Sequence, residues 1–335
     1  PHIALFQLPS GVRLKIEQSR GPRWGLEMLN ATGSAAHLSL LHADKLASSL
    51  FASSLPDEES VYAALDLEFI PPELREGNDE IRLAAVGSLP KLITASDIRG
   101  ELHAHSTASD GVHTIEQMVR AAQAKGYEYA GISDHSQSLK IAGGVSEDDL
   151  RKQLRYIDRL NAKNPSFRIL KSSEVDILED GSLDYPDDLL KELDYTVCSI
   201  HSRFARGKAQ QTERILRAMD NPYFTILGHA TGRLLLKRPG YEIDVDRVVE
   251  HARQRGCYFE INSSPDRLDL SATNARIARD AGVKLAITTD AHSIRDYGLV
   301  RCGTDQARRA GLRRSDVLNA LSLPDLEAAL RASRP

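Results

Sequence analysis

Nine residues suited to one kind of chemistry are scattered along this chain: His103, His105, Asp110, His135, Glu174, His201, His229, Asp290 and His292. Nearly all stand where a short apolar run ends. Imidazoles and carboxylates collected in this way are ligands for divalent metals, and several such ions together suit phosphoester hydrolysis. His103 and His105 are two residues apart, so in an extended strand both point to one side. Asp290 and His292 repeat that spacing at a later strand. A single His-x-His is as readily a pair of surface or core histidines. Two such pairs, with Glu174, His201 and His229 at further strand ends, argue against that reading, because burying so many polar groups uncompensated is costly.

The elements that must position these groups follow a regular beat. After Leu102-His103-Ala104-His105 comes a helix over 114–125, with Thr114 as its cap and Gly126 ending it. Strand 129–133 then closes on Asp134-His135. Helix 146–161 leads to strand 168–173 and Glu174. Helix 186–192 leads to strand 195–200 and His201, and helix 208–219 to strand 225–227 and His229. Helix 244–254 precedes strand 257–261 and Asn262, and helix 273–281 precedes strand 284–288 and Asp290. Alternation of this kind predicts parallel strands with crossover helices. Seven repeats, with reactive residues at the strand C-termini, predict an α/β fold of the closed or nearly closed barrel type. No glycine-rich dinucleotide fingerprint is present; Gly143-Gly144 is a lone pair.

In front of the barrel, residues 1–92 read as a small α+β domain, and 93–335 as the barrel. His2–Leu8 is an apolar strand, Leu8-Pro9-Ser10-Gly11 a turn, and Val12, Leu14 and Ile16 alternate with Arg13, Lys15 and Glu17 as in a half-buried strand. Helices are expected over 24–30 and 35–49, and Pro71-Pro72-Glu73-Leu74-Arg75 marks a turn and helix start. The chain opens on Pro1-His2-Ile3 without an initiating methionine, so a longer parent is expected.

Bulk properties narrow the class. A net charge of −4 in 335 residues neither requires nor forbids nucleic acid. Cys198, Cys257 and Cys302 form no CxxC pair, so neither a thiolate zinc site nor a disulfide framework is suggested. No membrane-spanning run or signal peptide is visible. The expectation is a soluble, cytoplasmic protein, with a monomer as the simplest state.

The quoted stretches resemble those of PHP (polymerase and histidinol phosphatase) domains. They are Asp97-Ile98-Arg99-Gly100-Glu101-Leu102-His103-Ala104-His105, Ser133-Asp134-His135-Ser136, Ser199-Ile200-His201-Ser202, Gly228-His229-Ala230-Thr231-Gly232-Arg233-Leu234 and Thr288-Thr289-Asp290-Ala291-His292-Ser293. The Thr-Gly-Arg-Leu segment and Ala142-Gly143-Gly144 are closer to the C-terminal PHP domain of bacterial and archaeal family X DNA polymerases. The resemblance implies a distorted (β/α)7 barrel and three metal ions, with manganese expected for activity and zinc also suited to the ligands. One ion would take His103, His105, Glu174 and Asp290; a second Glu174, His201 and His229; a third Asp110, His135 and His292. Glu174 bridges because a carboxylate has two oxygens to share. The ions would activate water and neutralise phosphate oxygens. Glu174, His105, Asp290 and Arg233 are the expected catalytic residues. Asp134 either orients a histidine or serves as a cap.

The substrate implied is DNA with a 3' end, cleaved as a 3'-5' exonuclease in a repair role. Arg203, Phe204, Arg206 and Arg233, on loops following His201 and His229, are the expected substrate-binding residues, the arginines for phosphate and Phe204 for stacking on a base. Lys208, Lys237 and Arg238 lie nearby, whereas Arg308, Arg309, Arg313 and Arg314 read as plain surface. Residues 1–92 resemble, less specifically, the end of a polymerase X palm and thumb. Lys15 stands where that family carries a catalytic aspartate, Asn30-Ala31-Thr32-Gly33-Ser34 lacks the family's aromatics, and Leu38 replaces an asparagine, so polymerisation is not expected. Two alternatives remain: a small-molecule phosphomonoesterase resembling histidinol phosphatase, and a DNA-binding module without turnover.

Overall fold

The computed structural model of the chain describes residues 2–18, 21–44 and 54–334. The chain divides into two compact units, Pro1–Pro90 and Lys91–Pro335. The division falls two residues before the border expected from the sequence. Ile93 donates its N–H to the Leu312 carbonyl at 2.9 Å, and Leu92 bridges to Arg313, which ties both residues to the second unit.

In the first unit, β1 (His2–Gln7) and β2 (Arg13–Gln18) pair antiparallel around the turn at Gly11, whose φ of 83° needs no Cβ penalty. The half-buried reading of β2 is corrected. Val12, Leu14 and Ile16 are all exposed, because among the described residues the two strands pair only with each other and no layer covers their apolar face. Helices α1 (Trp24–Thr32), α2 (Ala35–Asp44), α3 (Glu58–Ala64) and α4 (Glu80–Ala85) follow. The remainder of the helix expected to reach 49 lies outside the described residues. The helix start expected at Pro71-Pro72 is a single 3-10 turn, Pro72–Leu74, with Pro71 as its cap. A buried polar network knits this unit: His37 Nδ1 meets Glu80 at 2.7 Å and its Nε2 meets the Tyr62 hydroxyl at 3.0 Å.

The second unit is the barrel. Its parallel strands are β3 (Gly100–Glu101), β4 (Tyr129–Ile132), β5 (Arg168–Lys171), β6 (Glu174–Asp176), β7 (Val197–Ser199), β8 (Ile226–Leu227), β9 (Tyr258–Asn262) and β10 (Leu285–Thr288). Hydrogen bonding gives a three-stranded sheet, β3-β4-β5, and a five-stranded one, β10-β9-β8-β7-β6. A bridge from His135 to Glu174 carries the β4–β5 register on into β6, so β5 and β6 are one interrupted strand. A bridge from Ala104 to Ala291 joins the outer edges. The result is a distorted seven-membered α/β barrel closed by single bridges. The strand expected to close on Glu174 breaks at Ser172-Ser173, and Glu174 itself opens the next segment.

Helices α5 (Ile115–Ala124), α6 (Glu147–Lys163), α7 (Asp187–Leu190), α8 (Lys208–Met219), α9 (Val245–Arg255) and α10 (Ala272–Asp280) return the chain between strands. Their starts are set locally. Thr114 and Gln117 form a capping box, and Ser146, Asp244 and Ser271 each accept the N–H three residues on. Two further helices, α11 (Val300–Arg309) and α12 (Leu323–Ala332), follow the last strand. α12 buries Leu326 and Leu330 against Leu102, Tyr129, Leu170, Tyr195 and Ile226, and so seals the barrel at the strand starts. Asn319 fixes the approach by donating to the carbonyls of Gly100 at 2.9 Å and Ile287 at 2.7 Å. Arg308 is not plain surface, since it donates to the Ile93 carbonyl. Among the described residues no helix is long and apolar enough to cross a membrane.

The barrel interior is packed closely enough to dictate a glycine. The Tyr195 hydroxyl crosses it to donate to the Leu102 carbonyl at 2.7 Å, and a Cβ on Gly131 would lie 1.7 Å from that oxygen. Gly131→Ala is therefore expected to cost about 3 kcal/mol, the upper end of overpacking penalties, measured as a lower urea midpoint. Adding Tyr195→Phe to Gly131→Ala should recover part of the loss, whereas Tyr195→Phe alone should cost about 1 kcal/mol.

Candidate metal centre

The strand ends converge on Glu174, which is 1% exposed. Its Oε1 lies 2.8 Å from His229 Nε2 and 3.3 Å from His201 Nε2. Its Oε2 lies 2.8 Å from His135 Nδ1, 3.4 Å from His103 Nε2 and 3.6 Å from His105 Nε2. Asp290 reaches in from the end of β10 with Oδ1 3.0 Å from His105 Nε2 and 3.5 Å from His103 Nε2. It does so from a left-handed backbone, φ 52°, a conformation that a non-glycine residue holds only where its surroundings enforce it. Asp110 Oδ1 sits 3.3 Å from His292 Nε2, 3.6 Å from His135 Nε2 and 3.9 Å from His105 Nδ1.

Among the described residues three groups of ligand atoms result, each within 4.8 Å: His103, His105, Glu174 and Asp290; His105, Asp110, His135 and His292; and His135, Glu174 and His201. The first has the membership expected from the sequence. The second adds His105 to Asp110, His135 and His292. In the third His135 stands where His229 was expected, and His229 instead touches Glu174 from outside that group.

Two observations fit these groups to divalent cations. Four ligands at 2.0–2.1 Å around one ion in tetrahedral array stand about 3.4 Å apart, close to the spacings among His103, His105, Glu174 and Asp290. Further, the buried atoms His103 Nε2, His105 Nδ1, His135 Nδ1, His229 Nδ1 and Glu174 Oε2 have no hydrogen-bond partner. His135 Nδ1 and Glu174 Oε2 approach closely without hydrogen-bond alignment, as groups aimed at a shared cation do.

The carboxylates and imidazoles of the centre shift one another strongly. Burial would raise the Glu174 carboxyl, but the imidazoles of His103, His201 and His135 hold it well below the usual carboxylate range. Asp290, also opposed by burial, is held down by His103 and His105. On the imidazole side burial pulls downward. Glu174 and Asp110 nevertheless lift His135 to about 10, and Glu174 and Asp176 lift His201 to about 9. His105 goes the other way, to about 4, through burial and the charge of His135.

The outer nitrogens are anchored by residues that the sequence did not single out. Glu260, fully buried in β9, accepts His103 Nδ1 at 2.5 Å, and Asp176 accepts His201 Nδ1 at 2.5 Å. Such carboxylates fix the tautomer and aim of a ligating imidazole. A charged residue inside an apolar strand, and the Glu174-x-Asp176 spacing on one strand face, were the available signals. Asn262 donates to Asp290 Oδ2 at 3.1 Å.

Asp134 proves to be a cap. Its carboxylate accepts Ser106 N at 2.7 Å, Ser109 Oγ at 2.6 Å and Gln153 Nε2 at 2.7 Å, and so holds the loop that delivers Asp110. Asp134→Ala should loosen that loop and weaken metal binding in the Asp110 group about tenfold, seen as lower metal content per chain after dialysis.

The residues expected to bind substrate have other partners. Arg203 donates to Glu179 Oε1 at 2.5 Å, and Arg206 to Glu179 Oε2 at 3.1 Å. Phe204 stacks on Tyr241 with ring centres 6.0 Å apart, and Arg238 lies over its ring at 4.0 Å, so its face is already covered. Arg233 donates through Nε to the Arg267 carbonyl at 2.9 Å and through Nη2 to the Leu268 carbonyl. Lys208 opens α8, and Lys237 pairs with Asp266.

Comparison with known proteins places this geometry. A family model described as "PHP domain" matches residues 101–264. That span ends before Asp290 and His292, which the closed barrel brings back to the site. The chain is 43% identical over 278 residues to the DNA polymerase/3'-5' exonuclease PolX of Bacillus subtilis, covering 83% of this chain and 48% of that protein. It thus spans about half the length of that relative. It is 30% identical over 233 residues to a probable phosphatase of Thermoanaerobacter sp. (strain X514), covering 65% of this chain and 89% of that one. A solved histidinol phosphate phosphatase from Lactococcus lactis, complexed with zinc, L-histidinol and phosphate, aligns over 64% of this chain and 94% of that one, with 15% identity and a TM-score of 0.49.

Proposed function

The chain belongs to the PHP family of metal-dependent phosphoesterases, and from that premise we propose that its centre is a 3'-5' exonuclease acting on DNA. The observation that carries this reading is the reach of the Bacillus subtilis match. At 278 residues it is longer than the second unit and so extends into the first, towards a relative whose name joins polymerase and exonuclease. A barrel-only phosphatase would need no such extension.

In this reading three divalent ions, manganese in the active form, are held by the nine ligand residues, and the protein works on DNA in the cytoplasm. When bound, the ions supply an activated water and charge for the phosphate oxygens. The protein's part is to hold Glu174 between five imidazoles and to fix Asp290 through Asn262. The first unit is a polymerase-like remnant that does not polymerise: Lys15 is exposed on β2 and pairs with Glu17.

A phosphomonoesterase is the second reading, favoured by the 89% coverage of the Thermoanaerobacter phosphatase. The two separate in one assay. Manganese-loaded protein receives 5'-labelled single-stranded DNA and, in parallel, p-nitrophenyl phosphate. Stepwise shortening from the 3' end, lost in His105→Ala, is the expected result. Turnover of the monoester with DNA left intact would overturn the exonuclease.

A further inference from the structure

The loop after β9 brings an arginine to the metal centre. Arg267 Nε lies 3.7 Å from Asp290 Oδ2, beyond hydrogen-bond distance, and the Arg267 side chain is 22% exposed. That Asp290 oxygen already accepts Asn262 Nδ2 at 3.1 Å. Among the described residues the Arg267 guanidinium donates no hydrogen bond, although a guanidinium carries five donors. A part-exposed guanidinium whose nearest charged partner is a carboxylate of the candidate metal centre, and which donates no hydrogen bond to the chain, is placed to meet an anion that is not part of the chain.

The backbone around Arg267 is fixed from several sides. Arg233 grips the carbonyls of Arg267 and Leu268. Gln306 donates to the Leu268 and Leu270 carbonyls at 3.3 and 3.1 Å. The fully buried Asp269 accepts Thr231 N at 2.9 Å and Thr231 Oγ1 at 3.0 Å. Leu268 is held at φ 44°, a left-handed conformation that a non-glycine residue adopts only under such restraint. So many anchors on one short loop make sense if the side chain it presents must be placed accurately.

We propose that Arg267 binds the substrate phosphate at this centre, and that Arg233, through two backbone carbonyls, is its positioning residue. The inference rests on the phosphoesterase reading and adds the residue that engages the phosphoryl oxygens. It also accounts for an arginine in the Thr231-Gly232-Arg233-Leu234 segment that points into the protein's own backbone. The planar fork of Arg267 would take two non-bridging oxygens, of a phosphodiester or a phosphomonoester alike.

The test compares wild type, Arg267→Ala, Arg267→Gln and Arg233→Met, all loaded with manganese. Inorganic phosphate binding is measured by calorimetry, and hydrolysis of bis(p-nitrophenyl) phosphate is followed with and without added guanidinium. Metal content and melting temperature are recorded for each. Loss of a charge-assisted contact predicts that both Arg267 variants bind phosphate about 10- to 100-fold more weakly, with metal content unchanged and KM raised. Guanidinium should restore part of the Arg267→Ala activity. Arg233→Met should weaken phosphate binding by a smaller factor and gain nothing from guanidinium. Phosphate affinity within twofold of wild type in both Arg267 variants would overturn the proposal, as would a loss of metal in place of a loss of phosphate, which would make Arg267 only a partner of Asp290. A wild type that binds phosphate but hydrolyses no ester would sink the phosphoesterase reading instead, and the calorimetric comparison would still decide on Arg267.

Discussion

Glu174→Ala should lower kcat/KM for phosphodiester hydrolysis about a thousandfold, equivalent to about 4 kcal/mol of transition-state stabilisation. Glu174 is the one residue whose two oxygens face different sets of imidazoles. Oε1 faces His201 and His229, and Oε2 faces His103, His105 and His135. Its loss removes a ligand from two groups at once and leaves buried imidazoles around an uncompensated space. Glu174→Gln separates charge from shape. It keeps the volume but has a single acceptor oxygen and no charge, so it should fold with a melting temperature near wild type and still lose at least a hundredfold in rate. Activity within tenfold of wild type in Glu174→Gln, with normal metal content, would show that Glu174 is not the shared ligand.

The second large effect is expected one layer out. Glu260→Gln should reduce metal affinity and activity about a hundredfold, the upper end for a residue that orients a ligand. Every neighbour of Glu260 is a donor. Oε1 accepts His103 Nδ1 and Thr288 Oγ1, each at 2.5 Å, and Oε2 accepts His229 N at 2.5 Å. An amide has one acceptor oxygen: turned one way its NH2 opposes His103 Nδ1 and Thr288 Oγ1, and turned the other way it opposes His229 N. Either His103 loses its fixed tautomer or the chain at His229 loses its anchor. Chelator competition, with metal counted per chain, measures the effect. Wild-type metal retention in Glu260→Gln would contradict the assignment.

The parts of this protein legible in its sequence are those decided over short distances. The helix starts at Thr114, Ser146, Asp244 and Ser271 are written in the cap residue itself. The candidate metal ligands are legible because strand ends gather at one mouth of a barrel, so residues far apart in sequence need only occupy equivalent places. What escaped depends on partners chosen in three dimensions. Glu260 looks like a stray charge in an apolar strand until the ring of His103, 157 residues away, is placed beside it. Arg233 was expected at the substrate and Arg267 was not singled out for the same reason: an arginine does not reveal in sequence whether it faces backbone carbonyls or an open site. Helices α11 and α12 follow the last strand, where the strand–helix beat no longer predicts them. In the first unit, β2 has the alternation of a half-buried strand, yet nothing in its described surroundings covers the apolar face.

The most direct test of the account is a metal titration. Protein stripped by chelation receives manganese in steps, and bound ions per chain and bis(p-nitrophenyl) phosphate hydrolysis are read on the same samples. Hydrolysis should be absent after stripping and should rise as the Glu174 groups fill. Full activity in the stripped protein, or filled sites without any hydrolysis, would contradict a metal-dependent phosphoesterase built on Glu174.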